Sequence, residues 1–223
     1  MSKVIDVPGL QKAATREKLF ERLPIVRFAD NVDTREKQIL VGAFRCIAEM
    51  GIAATTTRAV ATRAELNQGS IHYYFRSKDQ LLLGLMGALM GNSKGILETI
   101  RDADFTPVEK LYCVLRSGAN FIRSDELLVL VSLWAHAYAN GAAWRSTYKQ
   151  SFTALRGVLM QIIDEGIEAG EFEKGDSKTL AETILTSVQG IGMHYKMVPQ
   201  DFAGQDLGDR LFGLFAHMIV AGR

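Results

Sequence analysis

Few residues in this sequence can cross-link, interrupt or anchor the chain. There are two cysteines and four prolines in 223 residues. Cys46 and Cys113 lie in apolar helical patterns with no Cys or His at metal-ligand spacing, which predicts two buried thiols and no metal site. Apolar runs stop short of the ~18–20 residues of a membrane span, and the N-terminus lacks the apolar core of a secretory signal. We expect a cytoplasmic protein with no membrane partner.

Signatures of catalysis are missing as well. The sequence has no Gly-rich phosphate loop, no paired metal-ligand motif, and no nucleophile and base at a spacing that is diagnostic of catalysis. The stretch GIGMH at 190–194 lacks the complete dinucleotide-binding pattern and the strand that should precede it. The sequence therefore favours a protein that is not an enzyme and needs no cofactor. An all-helical enzyme or small-molecule-binding protein is the weaker alternative.

Charge is distributed unevenly along the chain. The net charge is only +1. Residues 1–90 hold 13 basic against 9 acidic residues, whereas residues 91–223 hold 13 against 16. A polyanionic partner is therefore expected to dock at the N-terminal part of the molecule.

Helical periodicity fills the sequence after residue 33, and no segment alternates like a strand. Caps and apolar spacing predict about nine helices, at 34–50, 57–64, 68–74, 78–102, 107–123, 125–140, 143–169, 177–197 and 206–221. Residues 1–32 have mixed charge without a sustained period, which predicts a flexible or partly helical arm. The predicted fold is all-α, with a three-helix helix-turn-helix domain at 33–80 and a helical bundle at 81–223.

Residues 56–75 have the proportions of a helix-turn-helix, in which a second short helix enters the major groove of DNA. Ala61 is small enough for the two helices to pack closely. Four small or polar residues, at 67–70, open the second helix and let its backbone approach base edges. Gln68 can pair with adenine through two hydrogen bonds, and Ser70 can reach a base or a phosphate.

Four rings follow directly in the stretch QGSIHYYF at 68–75. His72, Tyr73 and Tyr74 carry hydrogen-bonding edges that reach phosphates and thymine methyl groups from a helix in the groove. Phe75 has no polar edge and is predicted to turn inward. Lys78, in the first turn of the next helix, is predicted to hold a phosphate.

The stretch TTTRAVATRAELNQGSIHYYFRSKDQLL at 55–82 resembles the DNA-binding domain of the TetR family of one-component transcriptional regulators. The shared features are the Thr cap before Arg58, the small-residue recognition helix, the three rings before Phe75 and the Ser-Lys-Asp start of the next helix. The resemblance implies contacts with the DNA backbone from Thr56, Thr57 and Arg58, with Thr57 or Arg58 also able to reach bases. It implies base contacts from Gln68, Gly69, Ser70 and Tyr73, and phosphate contacts from His72, Tyr74 and Lys78, with a further one from Thr34 or Lys37.

The turn departs from the family pattern at one position. The family usually has Gly where this chain has Glu65. If that residue must adopt a left-handed conformation, its side chain costs about 1 kcal/mol.

A ligand-binding and dimerising domain after the fourth helix is what the resemblance implies next. Aromatic and methionine side chains suit an apolar pocket for a small-molecule effector. The candidates are Met86, Met90, Phe121, Trp134, Tyr138, Trp144, Tyr148 and Met193. Plain core packing is the alternative for each of them. The segment LWAHAYANGAAWRSTYKQ at 133–150 is similar to the family branch that includes choline-responsive repressors.

The last two helices are predicted to form a dimer interface. The segment LFGLFAHMIV at 211–220 is apolar almost all round, so it must bury one face inside the chain and one against a partner. The candidate residues are Gly190, Leu211, Leu214, Phe215 and Met218. A monomer with a buried last helix is the alternative.

Together these observations predict a homodimeric regulator that binds a near-palindromic DNA operator. It is expected to be a repressor released by a small-molecule effector. An effector-independent DNA-binding dimer is the alternative within the same class.

Overall fold

A computed structural model of the chain describes residue 10 and residues 13–30, 32–204 and 206–221. The described residues form ten α-helices and one 3₁₀ helix, and their only β pairing is an isolated bridge between Phe172 and Val220. The helices are α1 Ala13–Glu21, α2 Arg35–Ala54, α3 Thr57–Arg63, α4 Gln68–Tyr74, α5 Lys78–Arg101, α6 Pro107–Arg123, α7 Asp125–Asn140, α8 Ala142–Glu168, α9 Ser177–Met197 and α10 Leu207–Ile219, with the 3₁₀ helix at Pro199–Phe202. The predicted all-α class is confirmed.

Local capping explains why the helices begin where the sequence predicts. The Thr106 backbone N–H donates to Glu109 Oε2 (2.9 Å), and the Glu109 N–H donates to Thr106 Oγ1 (3.3 Å), which is a reciprocal capping box at the start of α6. Ser77 Oγ accepts from the Gln80 N–H (3.1 Å) at the start of α5. Each bond satisfies an N–H that the first helical turn leaves without a partner.

The chain forms two compact units. The first, called here the motif unit, consists of Val26–Ser93 and Ser124–Thr153. The second, called the α10 unit, consists of the described parts of Met1–Ile25, Lys94–Arg123 and Ala154–Arg223. The predicted domain boundary after residue 80 falls inside the motif unit, because α7 and the start of α8 belong to that unit as well.

Of the two alternatives predicted for the arm at 1–32, a flexible one and a partly helical one, the described part fits the second. Residues 13–21 form α1, and Leu10, Leu19 and Leu23 are buried in the hydrophobic core of the α10 unit. In the motif unit, the Phe28 ring is fully buried against Phe44, with ring centroids 5.7 Å apart. Residues 1–9, 11, 12 and 31 lie outside the described residues. Burial of these scattered apolar side chains outweighs the weak local helix pattern.

Two glycines position the helix-turn-helix. Gly51 breaks α2 with a φ of 76°, a conformation that other L-residues adopt at a cost. Gly42, further back in α2, lies where a Cβ would approach the Cβ of Ala64 to 2.9 Å. The end of α3 therefore packs directly on the backbone of α2. Gln38 reinforces this contact, because its Nε2 donates to the Ala64 carbonyl (2.7 Å).

The turn of the motif ends α3 in a Schellman arrangement with a non-glycine residue at its left-handed position. The Leu66 N–H donates to the Ala61 carbonyl (2.9 Å), and the Glu65 N–H donates to the Thr62 carbonyl (3.2 Å). Glu65 has a φ of 56°, the only positive φ of a non-glycine residue among those described. The departure from the family's glycine therefore leaves the turn intact and places strain at Glu65.

Replacing Glu65 with glycine should stabilise the protein by about 1 kcal/mol, because glycine has no Cβ to clash in the left-handed region. Thr62→Gly is the matched control, since Thr62 is an exposed position one turn earlier inside α3. There glycine should destabilise by about 1 kcal/mol or less. Urea denaturation of both variants measures the difference. If both substitutions changed the free energy of unfolding in the same direction, the result would contradict strain at Glu65.

Two structural properties bear on the function classes considered above. Within the described residues, no helix is both long and apolar enough to span a membrane. The same residues contain no cluster of three or more His, Cys, Asp or Glu side chains that could hold a metal ion. Cys46 and Cys113 are buried as predicted, and burial raises the pKa of the Cys113 thiol to about 12. Both thiols are suited to packing, since thiolate reactivity requires a low pKa.

Candidate functional site

Helix α4 has one buried face and one exposed face. Ile71 is fully buried, and Phe75, which caps the helix, is 6% exposed. Gln68, Gly69, His72 and Tyr73 are all exposed, and the helical period turns Gly69 and Tyr73 away from Ile71. The prediction that Phe75 turns inward is confirmed. Its ring lies against α5 at Gly84, where a Cβ would come within 2.9 Å of Phe75 Cε1.

The starts of α3 and α4 lie side by side. Gln68 Nε2 donates to Thr57 Oγ1 at 3.3 Å. Thr56 caps α3, since its Oγ1 accepts from the Ala59 N–H at 3.1 Å. Asn67 caps α4 and accepts from both the N–H (2.8 Å) and the hydroxyl (3.1 Å) of Ser70. Polar side chains of both helices are therefore gathered at one edge, with Arg58 exposed in the first turn of α3.

The rings at the end of α4 differ in exposure. Tyr73 is 83% exposed and Tyr74 is 42% exposed, and their rings meet edge to face at 5.2 Å. His72 is also exposed. A monomeric protein gains nothing by leaving large rings in water. Three neighbouring rings with polar edges on one short helix form a surface suited to contact with a partner.

Two lysines predicted to hold phosphates have partners inside the protein. Lys78 Nζ donates to the Ile52 carbonyl at 2.6 Å and so ties the start of α5 to the end of α2. Lys37 Nζ lies 3.5 Å from the centroid of the Phe28 ring, and burial lowers the pKa of this lysine. Each ammonium has three donors, so these contacts leave hydrogen-bonding capacity. The phosphate contacts stay predictions.

The candidate pocket residues are divided between the two units. Met86, Met90, Trp134, Tyr138, Trp144 and Tyr148 belong to the motif unit, and Phe121 and Met193 belong to the α10 unit. Two of them do not line an enclosed pocket in this chain, since Tyr138 is 86% exposed and Met193 is 53% exposed. Their helices turn these side chains to the surface. Met86, Met90 and Trp144 are fully or almost fully buried.

A row of aromatic side chains joins α7 to α8 within the motif unit. The Trp134 and Tyr148 rings meet edge to face with centroids 5.9 Å apart. Tyr148 stacks on Phe152 at 5.8 Å and an interplanar angle of 20°. We call Trp134, Tyr148 and Phe152 the aromatic row. Trp134 and Tyr148 are among the predicted pocket residues.

A polar cluster connects the start of α5 with α7 and α8. Trp144 Nε1 donates to both carboxylate oxygens of Asp79, at 3.1 and 3.2 Å. His136 Nε2 lies 3.5 Å from Asp79 Oδ1, and its ring packs on Trp144 at 4.9 Å. Sequence reasoning missed this role of Asp79, because an acidic residue in the first turn of a helix is already explained by the helix dipole. The neighbouring Lys78 gives this cluster a direct connection to the motif.

The predicted dimer residues fall on two faces of α10. Leu211 and Phe215 are 1% and 2% exposed in the core of their own unit, so their assignment to a dimer interface is corrected. Leu214 and Met218 are 54% and 56% exposed on the opposite face. Gly190, on α9, is exposed as well. The sequence of an almost uniformly apolar helix does not show which of its faces will be buried. In α10 that face is determined by packing on α6.

A three-helix motif with a Schellman-type turn and an exposed polar second helix defines a helix-turn-helix protein. The family model for bacterial regulatory proteins of the tetR family matches residues 39–85. The HTH-type transcriptional repressor KstR2 of Mycolicibacterium smegmatis is 31% identical over 145 residues, which cover 62% of this chain and 68% of the relative. The chain therefore belongs to the tetR family of bacterial regulatory proteins. It is a DNA-binding transcriptional regulator.

Two solved structures illustrate the same fold with different ligands. FadR from Bacillus subtilis, determined in complex with stearoyl-CoA, has a TM-score of 0.66 at 23% identity. The alignment covers 79% of this chain and 95% of the FadR chain. A transcriptional regulator from Saccharomonospora viridis, determined in complex with choline, has a TM-score of 0.67 at 20% identity. The alignment covers 84% of this chain and 98% of that regulator. The fold alone therefore does not decide which ligand chemistry this chain accepts.

Proposed function

We propose that this protein is a homodimeric repressor that binds a near-palindromic operator through α3 and α4 and is released by a small apolar effector. The observation that carries the proposal is the division of α4 into two faces. Ile71 and Phe75 hold the helix to its unit, while Gln68, Gly69, His72 and Tyr73 are left exposed. We expect the protein to act in the cytoplasm, where the bacterial chromosome lies.

Each side chain of the exposed edge has a proposed role on DNA. Gln68 and Tyr73 contact base edges in the major groove, helped by the close backbone at Gly69 and the hydroxyl of Ser70. A second group contacts the sugar–phosphate backbone and fixes the position of α4. It consists of Lys37, Thr56, Thr57, Arg58, His72, Tyr74 and Lys78. Base contacts then set the sequence preference, and phosphate contacts set most of the salt dependence.

The exposed apolar rows of the α10 unit are the proposed dimer interface. Leu214 and Met218 lie one helical turn apart on α10, and Met193 and Met197 do the same on α9. Gly190 extends the second row and leaves room for close approach of a partner helix. A twofold dimer through these rows presents two copies of α4. Their operator half-sites are then expected about one DNA turn apart, roughly 34–36 Å, or a multiple of it.

Release by an effector follows from a shift between two states of the dimer. A ligand that binds better to the form with wrongly spaced α4 helices lowers the occupancy of the operator. The aromatic row of the motif unit supports a ligand site, since rings of this kind commonly line apolar pockets. The relatives that hold stearoyl-CoA or choline support effector binding by analogy. An effector-independent dimer is the alternative.

Tyr73→Ala is expected to weaken operator binding by about 1–3 kcal/mol per recognition helix while the dimer stays intact. Fluorescence anisotropy with DNA from upstream of the protein's own gene, at two salt concentrations, measures the affinity. Tyr138→Ala is the matched control, because Tyr138 is equally exposed in the same unit but lies on α7. Wild-type affinity of Tyr73→Ala, or an equal loss in the control, would count against the proposed DNA-binding face.

A complementary variant separates DNA contact from dimerisation in the same experiment. Met218→Asp introduces a charge into the proposed interface and should give a monomer in analytical ultracentrifugation. That monomer should bind the operator weakly, since it offers a single α4. A dimeric Met218→Asp protein with normal operator affinity would place the interface elsewhere.

A further inference from the structure

Trp134 has a buried hydrogen-bond donor without an acceptor. Its Nε1 is inaccessible to solvent and has no hydrogen-bond partner among the described residues. The ring itself is held by packing, because it meets Tyr148 at 5.9 Å, and Tyr148 in turn stacks on Phe152. A buried N–H left unpaired is costly and rare in native proteins.

The other tryptophan of the same unit shows what a satisfied indole requires. Trp144 Nε1 donates to the Asp79 carboxylate at 3.1 Å. The described residues thus supply an anionic oxygen for one indole and none for the other. Both tryptophans of the sequence lie in the motif unit, so the paired and the unpaired indole can be compared within one unit.

A second donor without a partner lies in the motif unit. Asn92, in the part of α5 that belongs to this unit, has a buried Nδ2 with no hydrogen-bond partner in the part of the chain that the structure describes. Both unpaired groups are N–H donors. A molecule that satisfies either of them must contribute an acceptor, because another donor would leave the N–H unpaired.

We infer that the aromatic row binds an apolar molecule that carries an oxygen acceptor, such as a carboxylate, carbonyl or ester, and that Trp134 Nε1 donates to this oxygen. The inference rests on the proposed effector function and specifies its chemistry. A trimethylammonium head is disfavoured, because it has no acceptor atom. Aromatic faces alone would favour the trimethylammonium head, through cation–π attraction. The unpaired N–H groups are therefore the observation that separates an acyl-type ligand from a quaternary ammonium ligand that has no oxygen.

Two probes with the same chain and different heads test this chemistry. Dodecanoate has an acceptor oxygen, and dodecyltrimethylammonium has none. Isothermal titration calorimetry of the full-length protein, with both probes below their critical micelle concentrations, should give at least about tenfold tighter binding of dodecanoate. Trp134→Phe keeps a ring in the row and removes the N–H, and it should weaken dodecanoate binding by about tenfold. Tyr138→Phe removes an exposed hydroxyl from the same helix and should change nothing.

The possible outcomes are distinct. Equal or tighter binding of dodecyltrimethylammonium overturns the inference, as does dodecanoate binding that is unchanged in Trp134→Phe. No binding of dodecanoate also overturns it. Operator affinity, measured on the same preparations without a probe, tests the proposed DNA-binding function independently. Dodecanoate that binds through Trp134 but leaves the operator complex intact would support the ligand chemistry and contradict effector release.

Discussion

Gly166→Ala is expected to lower the free energy of unfolding by about 3 kcal/mol. A Cβ on Gly166 would lie 2.1 Å from Cδ2 and 2.3 Å from Cε2 of Phe172. Phe172 is 2% exposed in the core of the α10 unit. Its ring cannot withdraw easily, because the Phe172 N–H donates to the Gly166 carbonyl (3.0 Å) and its backbone pairs with Val220. The extra methyl group must therefore displace a buried ring that is fixed from two sides.

Gly157→Ala is the matched control for this prediction. Gly157 lies in the same helix, α8, and a Cβ there meets nothing within 4 Å. Alanine should stabilise this position by about 1 kcal/mol, since it restricts the unfolded chain and has the higher helix propensity. Thermal unfolding followed by circular dichroism compares the two variants. Stabilisation by both substitutions would show that Phe172 has room to move.

The helices that the sequence predicts well are those with local signals at both ends. The prediction for α5 was 78–102 and the observed helix is Lys78–Arg101, because Ser77 and Gln80 supply a cap that depends on neighbouring residues alone. The motif was predictable for the same reason. Asn67 and the two faces of α4 lie within eight residues of each other.

Features that depend on distant residues were not predictable. The bounds and the burial of helix α1 could not be predicted, because its stabilisation comes from partners such as Asp209, 193 residues away along the chain. Leu211 and Phe215 were assigned to the dimer interface because an apolar helix shows no preferred side in its sequence. The unpaired N–H of Trp134 has no signature in the sequence at all. An indole with a partner and one without look alike until the fold places the acceptors.

Asp209→Asn is the second substitution for which a large effect is expected, about 3 kcal/mol of lost stability. Arg16 is 5% exposed, and it holds Asp209 through two hydrogen bonds, one of them from Nε to Oδ1 at 2.9 Å. These bonds raise the pKa of the Arg16 guanidinium above its usual value. A third bond runs from Arg16 Nη1 to the Leu10 carbonyl at 2.6 Å. Asparagine offers a single neutral oxygen, so the buried cation loses the charge that compensates its desolvation.

Asp102→Asn is the control for a carboxylate in an exposed ion pair. Asp102 pairs with its neighbour Arg101 at the surface, and its loss should not change stability measurably. Urea denaturation compares the two variants, and equal effects would show that burial of Arg16 contributes nothing.

The Arg16–Asp209 pair has a further consequence for assembly. Asp209 lies in the first turn of α10, whose outer row contains Leu214 and Met218. If this row is the dimer interface, weakening the anchor between α1 and α10 should raise the dimer dissociation constant as well as lower stability. Sedimentation velocity over a range of concentrations measures that constant under native conditions. A variant that is destabilised but dimerises as tightly as the wild type would separate the anchor from the interface and confine its role to folding.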